Sequence, residues 1–188
     1  MRQRQQMVQL EQRRPEPPQR PVLQVVKAST VAAAPARVTI RRAQLTDVEQ
    51  MYRLLDGYAR QGLLLPRRIQ DVYRNVREFV VAVDENDAVV GCGGLRVYTP
   101  VLAEVVALAV DERCHGKGVG RQIIDTLLAD ARSFDLVRVF AMTLQPVFFE
   151  KMGFATTNVA LFPEKIAIDC SGCAKRATCQ EITMVLDL

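Results

Sequence analysis

One short segment restricts the folds open to this chain more than any other, because it places three alternate glycines between a strand pattern and a helix pattern. Residues 103–110 are apolar except for one glutamate, which is typical of a buried strand. Gly116, Gly118 and Gly120 follow, and apolar residues then recur at helical spacing over 118–134. Glycines ahead of a helix let backbone N–H groups meet a ligand without obstruction from Cβ, and the helix N-terminus attracts negative charge. The segment therefore predicts a pyrophosphate-binding loop.

Two common phosphate-binding loops do not match this segment. A Walker loop ends in Gly-Lys-Ser or Gly-Lys-Thr, whereas Lys117 is followed here by Gly118. A dinucleotide-binding fingerprint belongs to a βαβ unit with an acidic residue after its second strand, and that context is missing. What remains is a glycine loop at a helix N-terminus, where Lys117 and Arg121 can add positive charge at the rim.

The charge and proline content divide the chain into an extension and one domain. Residues 1–37 are rich in Gln, Arg and Pro, and they carry seven basic side chains against two acidic ones, a net charge of +5. This composition predicts a disordered basic extension. Residues 38–188 carry 18 basic and 19 acidic side chains, a net charge of −1. A nearly neutral domain argues against a nucleic-acid partner.

The hydrophobic pattern of 38–188 predicts strands and helices in mixed order, with hairpins as well as crossover helices. Such an order favours a mixed central sheet flanked by helices. The predicted strands are 38–40, 79–83, 88–91, 103–110, 137–142 and 181–188. The predicted helices begin at Thr46–Asp47, span 66–76 from Pro66, and span 118–134 and 146–152.

The glycine loop also fits the acyl-CoA signature Arg/Gln-x-x-Gly-x-Gly/Ala, which reads Arg113-Cys-His-Gly116-Lys-Gly118 here. Strand 103–110 precedes it, helix 118–134 follows it, and Phe148-Phe-Glu-Lys-Met-Gly-Phe154 matches an aromatic-x-x-x-Gly-Phe ending. With these features in order, the chain from 38 to 188 resembles the GNAT superfamily of acetyltransferases.

The resemblance implies a GNAT fold, α/β (α+β) in class, with a mixed sheet of six to seven strands. It also implies direct transfer from acetyl-CoA, the co-substrate, bound between the splayed strands 103–110 and 137–142. The main chain at the strand end is expected to bind the pantetheine arm, and the loop is expected to wrap the pyrophosphate. The cofactor-binding residues expected on this basis are Leu108, Ala109, Val110, Arg113, His115, Gly116, Lys117, Gly118, Val119, Gly120 and Arg121.

Three further segments bear on the acceptor. Gln61-Gly-Leu-Leu-Leu-Pro-Arg67-Arg68 and the strand 103–110 resemble stretches of the amino-acid N-acetyltransferases that make N-acetylglutamate in arginine biosynthesis. Leu161-Phe-Pro-Glu-Lys165, followed by Asp169-Cys-x-x-Cys-x5-Cys, is similar to the short single-domain bacterial enzymes. The resemblance implies a small-molecule amino acid, L-glutamate first, with one of Arg67 and Arg68 binding a substrate carboxylate. Another amine (a protein N-terminus, a polyamine or an antibiotic) stays open, as does a non-catalytic, metal-stabilised binding module.

Two residues are predicted to be catalytic. Glu104, expected in register with Val106, Leu108 and Val110, is the predicted general base acting through a water, and a solvated strand-end carboxylate is the alternative. Thr143 can relay a proton or bind substrate, although a structural role is common for a threonine at a strand end. Phe149 stands where many relatives have a tyrosine acid, which leaves the proton donor to the thiolate unassigned. His115, the single histidine, lies in the loop, which favours a binding or surface role.

The remaining features concern location and cysteines. No apolar run approaches the ~20 residues of a membrane span, and the start lacks a secretory apolar region, so the prediction is a cytoplasmic protein without a membrane partner. Five cysteines at uneven spacing do not suggest a disulfide framework. Cys170, Cys173 and Cys179 are predicted as reduced thiols without a metal, with part of a zinc site as the alternative. A homodimer is compatible with the resemblance.

Overall fold

The computed structural model describes residues 38–188, and the predicted extension over 1–37 lies outside them and stays a prediction. The strands are β1 (Thr39–Arg42), β2 (Phe79–Val83), β3 (Val89–Thr99), β4 (Leu102–Val110), β5 (Arg138–Thr143), β6 (Ala155–Thr157) and β7 (Ile182–Asp187). The helices are α1 (Val48–Arg60), α2 (Ile69–Arg74), α3 (Val119–Ser133), α4 (Pro146–Glu150) and α5 (Pro163–Lys165), which continues as a π-helical turn over Ile166–Cys170. No helix within 38–188 is long and apolar enough to cross a membrane.

The strands form one seven-stranded sheet in the order β1-β2-β3-β4-β5-β7-β6. The pair β4–β5 is parallel, and the other neighbours are antiparallel. Helix α3 connects the two parallel strands, as a parallel pair requires a crossover. The predicted mixed sheet flanked by helices is therefore confirmed.

A bulge in β4 separates it from β5 halfway along its length. The β3–β4 register shifts between Cys92 and Gly94, and Ala107 takes a positive φ of 54° opposite this shift. Pairing between β4 and β5 stops at Val105 and Ala141. Beyond that point β5 pairs only with β7, so the two parallel strands splay apart.

The bulge also reverses which side chains share a face, and it overturns one prediction. An extra residue in one strand shifts the alternation of everything beyond it. Val106 still packs on the α1 and α2 side, whereas Leu108 and Val110 pack with α3. Glu104 therefore does not share a face with Leu108 and Val110, as strict alternation had predicted.

Each face of the sheet buries its own apolar cluster. On one face α3 contributes Ile123, Ile124 and Leu127, none of which is exposed to solvent. On the other face Val48 and Met51 of α1 are equally buried. Because burying such a side chain contributes about 1.5–3 kcal/mol, these two clusters hold the helices against the sheet.

Two predicted boundaries were wrong. Strand β3 continues to Thr99, well past the predicted end at 91, because its glycines lie under other elements. A Cβ at Gly93 would come within 2.8 Å of Ile123, so glycine there marks close packing and not a turn. Helix α2 begins at Ile69, because Arg68 is extended at φ −83° and ψ 145°, so Arg67 and Arg68 precede the helix that was predicted to contain them.

Candidate active site and cofactor cleft

The splay between β4 and β5 opens a cleft of about 610 Å³. Its walls are the free edge of β4 from Val105 to Val110, the end of β5 at Met142 and Thr143, Phe148, and the first turn of α3. A cleft of this size falls within the usual range for a small-molecule site. The predicted cofactor residues Leu108, Ala109, Val110, His115, Gly116, Gly118, Val119, Gly120 and Arg121 all line it.

The glycine loop at the mouth of this cleft has the backbone geometry that its sequence predicted. Gly116 and Gly118 have φ values of 71° and 81°, and Gly118 caps the N-terminus of α3. Apart from the chain neighbours, an added Cβ would meet no atom of residues 38–188 within 4 Å at either residue, so the space in front of the loop is open. No acidic residue lies in the first turn of α3, so the helix does not neutralise its own positive end. A phosphate group fits this environment.

The basic side chains of the loop are placed less favourably than the sequence suggested. The guanidinium of Arg113 turns back to Asp111 at 2.8–2.9 Å, and this hydrogen bond is the main reason why the pKa of Asp111 falls to about 2. Neither Arg113 nor Lys117 lines the cleft, whereas Arg121 does. The structure therefore brings the loop backbone, and not the side chain of Arg113, to the cleft.

Two side chains meet at the last carbonyl of β4. The Tyr58 hydroxyl donates a hydrogen bond to the Val110 carbonyl at 2.5 Å, and His115 Nε2 lies 2.8 Å from the same oxygen. The Tyr58 hydroxyl oxygen and His115 Nε2 are also 2.9 Å apart. Burial, followed by the charges of Glu112 and Asp111, raises the pKa of Tyr58, so it stays a neutral hydroxyl. No sequence pattern indicates Tyr58, because it lies on α1, more than fifty residues before Val110.

A cluster of charged side chains surrounds the buried Glu104 on the α1 and α2 face of the sheet. Only 4% of the Glu104 side chain is exposed, so the solvated alternative is wrong. Glu104 Oε2 accepts hydrogen bonds from Tyr98 at 2.7 Å and from Lys165 Nζ at 2.9 Å. Lys165 Nζ also lies 3.2 Å from Asp169 Oδ2, and the Tyr98 hydroxyl is in hydrogen-bonding contact with Asp169 as well.

Arg96 and Glu181 complete this cluster. Arg96 lies 3.4 Å from Glu78 and 3.5 Å from Asp169, so its charge is shared between two carboxylates. Glu181 lines the cofactor cleft and is half-buried. Burial raises its pKa, and the charge of Glu104 adds to that effect.

The two predicted carboxylate-binding arginines lie in different surroundings. Arg68 is exposed and pairs with Asp71 at 3.0 Å, a contact that raises the pKa of Arg68. Arg67 is half-buried, and it forms no ion pair or hydrogen bond with any side chain in the described part of the chain. Burial lowers the pKa of Arg67, and the like charge of Arg96 lowers it further. Both arginines line a second cavity of about 470 Å³ together with Arg96.

The side chains of Thr143 and Phe149 form contacts that stabilise the structure around them. Thr143 Oγ1 accepts a hydrogen bond from the Gln145 backbone at 2.9 Å, which stabilises the turn into α4, although Thr143 also lines the cleft. Phe149 is buried, with ring centroids 5.3 Å from Phe148 and 5.2 Å from Phe154. The second aromatic position of this segment therefore supplies packing and no hydroxyl.

All five cysteines are free thiols. Cys170 and Cys173 are half-buried, and Cys179 is exposed. Across 38–188 no group of three or more His, Cys, Asp or Glu side chains is arranged to hold a metal ion.

Known proteins resemble this chain over most of its described length. A family model described as an acetyltransferase (GNAT) domain matches residues 75–156. A Chlorobaculum tepidum protein described as an uncharacterized N-acetyltransferase is 37% identical over 153 residues, which cover 81% of this chain and 98% of that protein. An amino-acid acetyltransferase of Mycobacterium tuberculosis is 41% identical over 120 residues, which cover 63% of this chain and 68% of that protein.

Solved structures share the fold. A Mycobacterium tuberculosis protein in complex with CoA and NLQ matches with a TM-score of 0.68 and 33% identity, over 80% of this chain and 99% of that one. N-acetylglutamate synthase from Neisseria gonorrhoeae, complexed with coenzyme A and N-acetyl-glutamate, matches with a TM-score of 0.73. That match is 24% identical and covers 81% of this chain but 35% of the other, so it shows the fold alone.

The splayed sheet, the glycine loop and these relatives together define an acyltransferase that uses a CoA thioester. The chain belongs to the GNAT family of acetyltransferases. It is an acetyl-CoA-dependent N-acetyltransferase, and acetyl-CoA is its co-substrate.

Proposed function

We propose that this protein transfers the acetyl group of acetyl-CoA directly to the α-amino group of an amino acid, and that L-glutamate is its main acceptor. The observation that carries this proposal is the half-buried guanidinium of Arg67, which has no side-chain partner within residues 38–188. The names of the relatives support it, since the 41%-identical protein of Mycobacterium tuberculosis is an amino-acid acetyltransferase. N-acetylglutamate formation would place the reaction in arginine biosynthesis.

The glycine loop and the open edge of β4 are the proposed binding site of acetyl-CoA. Bound there, the co-substrate supplies the acetyl thioester that the acceptor amine attacks. Backbone N–H groups around Gly116 and Gly118 hold the pyrophosphate, and Arg121 adds positive charge beside them. The main chain of Leu108 and Val110 holds the pantetheine arm.

Arg67 is the proposed carboxylate clamp. A guanidinium withdrawn from water and beside another cation gains most from a bound anion, and its planar fork matches a carboxylate in two parallel hydrogen bonds. Arg68 is a poorer candidate, because its guanidinium already forms an ion pair with Asp71. A clamp of this kind requires a carboxylate on the acceptor. Amino acids have one, and diamines do not.

Glu104 is the proposed general base. An amino acid reaches the site as an ammonium ion, which cannot attack a thioester until it loses a proton. Glu104 takes that proton through a water, the amine nitrogen bonds to the acetyl carbon, and the carbon–sulfur bond breaks. The nitrogen loses a second proton as the amide forms, and that proton ends on the sulfur, so that CoA leaves as a thiol. Thr143, at the end of β5, is the second proposed site residue, and its backbone contact gives it a positioning role.

Initial-velocity measurements with glutamate and acetyl-CoA test this proposal. Direct transfer predicts intersecting double-reciprocal plots, since both substrates must be bound before CoA leaves. Parallel lines would indicate an acetylated enzyme and contradict direct transfer. CoA release with a diamine or a peptide N-terminus, but with no amino acid, would contradict the acceptor assignment.

The cellular location and the oligomeric state of the protein are proposals as well. Five free thiols fit a reducing compartment, which supports a cytoplasmic location. The homodimer stays a prediction.

A further inference from the structure

The Glu104 side chain is almost completely withdrawn from bulk solvent. Only 4% of its side chain is exposed, and it lies on a central strand between β3 and β5. A general base at this place must lose its proton before the next turnover. A second group that connects Glu104 with bulk solvent would return it to its basic form.

The Tyr98 hydroxyl provides such a connection. It lies 2.7 Å from Glu104 Oε2 and is also in contact with Asp169 Oδ2. A tyrosine hydroxyl carries one hydrogen, so it can donate to only one of two carboxylates. The other contact becomes a hydrogen bond when that carboxyl group is protonated and donates to the hydroxyl oxygen. Two carboxylates joined in this way can pass a proton from one to the other.

Of the two carboxylates that contact Tyr98, Asp169 is the one exposed to solvent. Its side chain is 27% exposed, compared with 4% for Glu104. Lys165 Nζ contacts both carboxylates, at 2.9 Å and 3.2 Å, and so holds them close to each other. Arg96 fixes the second oxygen of Asp169 from β3 at 3.5 Å. Arg67 and Glu181 are the other charged groups near Glu104.

We propose that Tyr98 and Asp169 form a proton relay that returns Glu104 to its basic form by carrying its proton to water. This inference rests on the proposed role of Glu104. The acceptor's ammonium group gives one proton to Glu104. Glu104 then donates it to the Tyr98 oxygen while Tyr98 gives its own hydrogen to Asp169, and Asp169 releases one proton to solvent. Glu104 and Tyr98 end as they began, and one proton leaves for each acetyl group transferred.

The pKa shifts of Tyr98 and Asp169 favour this direction. Burial and the charge of Glu104 raise the pKa of Tyr98, so it remains a hydroxyl that can both accept and donate. Burial also acts to raise the pKa of Asp169, but its contacts with Tyr98 and Lys165 outweigh that effect and leave the pKa below its ordinary value. A proton that arrives at Asp169 is therefore released readily.

Two conservative variants test the relay. Tyr98→Phe removes one oxygen and keeps the ring that packs 5.8 Å from Phe140. Asp169→Asn keeps the shape of the side chain but cannot carry a proton. We expect each variant to lower kcat by about tenfold or more, as for loss of a proton-transfer group, while the KM for acetyl-CoA stays within about twofold. Tyr73→Phe and Asp56→Asn make the same chemical changes at other places and should retain full activity.

Imidazole buffer separates a relay from a purely structural role. At constant pH and ionic strength, rising imidazole should restore kcat in Tyr98→Phe and Asp169→Asn, because the buffer replaces the missing carrier, and it should leave the parent unchanged. Full kcat in either variant, or a loss that imidazole does not recover, would overturn the relay.

Glu104→Gln, measured in parallel, tells the two proposals apart. If Glu104→Gln turns over like the parent, the base assignment fails. If Glu104→Gln alone is slow, the base assignment stands and only the relay fails.

Discussion

The guanidinium of Arg67 gives the sharpest prediction about the acceptor. Arg67→Lys keeps the positive charge but loses the planar fork that binds a carboxylate through two hydrogen bonds. A hydrogen bond to a charged group contributes about 1.5–3 kcal/mol, and Arg67 has no protein partner within 38–188 that could absorb the change. We expect a loss of about 2–3 kcal/mol in transition-state stabilisation, which corresponds to about 30- to 160-fold in kcat/KM for glutamate.

Arg68→Lys is the matched control for this measurement. Arg68 is adjacent in sequence but exposed, and its partner is Asp71. Because solvent screens an exposed ion pair, which therefore contributes little, kcat/KM should change by less than about threefold. The assay follows free CoA at saturating acetyl-CoA with glutamate varied. Equal losses in the two variants, or no loss in Arg67→Lys, would refute the assignment of the clamp.

Stability separates a functional role of Arg67 from a structural one. Burial and Arg96 lower the pKa of Arg67, which means that the folded protein disfavours this charge. Arg67→Met should therefore lose activity with glutamate while its Tm stays equal to that of the parent or rises, as is common for residues kept for function. A clear fall in Tm would indicate that Arg67 holds the fold together.

Three further predictions address the loop, the base and acid stability. Gly118→Val should raise the KM for acetyl-CoA by about tenfold or more. It should also lower Tm by a few degrees, because a φ of 81° costs an L-residue about 1–2 kcal/mol. Gly57→Ala, in a helix with free space around it, should change neither quantity. Glu104→Gln should lower kcat by about 10²–10⁴-fold with an unchanged KM for acetyl-CoA, and a normal kcat would exclude it as the base. Asp47 is buried, and its hydrogen bond with Arg41 lowers the pKa of the Asp47 carboxyl group. Ionised Asp47 therefore stabilises the fold above the unfolded pKa of about 3.9. This stabilisation is lost as pH falls through the lower pKa of the folded state. Asp47→Asn should therefore give a lower Tm at neutral pH and a flatter dependence of Tm on pH below about 4, and an unchanged acid profile would contradict this.

Much of the cofactor side of the molecule could be predicted from local sequence. The loop follows from glycines at 116, 118 and 120 and from the helix that they precede, all within one short stretch of chain. The strands and helices around it follow from apolar periodicity. Such features depend on neighbours in sequence, which is why they can be read without a structure.

The acceptor side could not be predicted to the same depth, because its residues meet only in the folded chain. Tyr98 and Asp169 are 71 residues apart, and Glu104 and Lys165 are 61 residues apart. The bulge at Ala107 is also absent from the apolar pattern, since alanine and valine suit either face. One pair of these residues could have been predicted from its spacing in the sequence. Lys165 and Asp169 are four residues apart, the spacing of neighbours on one helix face.

A competition experiment tests the identity of the acceptor most directly. Equal concentrations of glutamate, glutamine, alanine, putrescine and a peptide with a free N-terminus would share one reaction with limiting acetyl-CoA, and mass spectrometry would count the acetylated products. The proposal predicts that N-acetylglutamate is the main product, and that Arg67→Lys removes this preference while Arg68→Lys keeps it. If acetylated putrescine or acetylated peptide is the main product, the amino-acid acceptor is wrong.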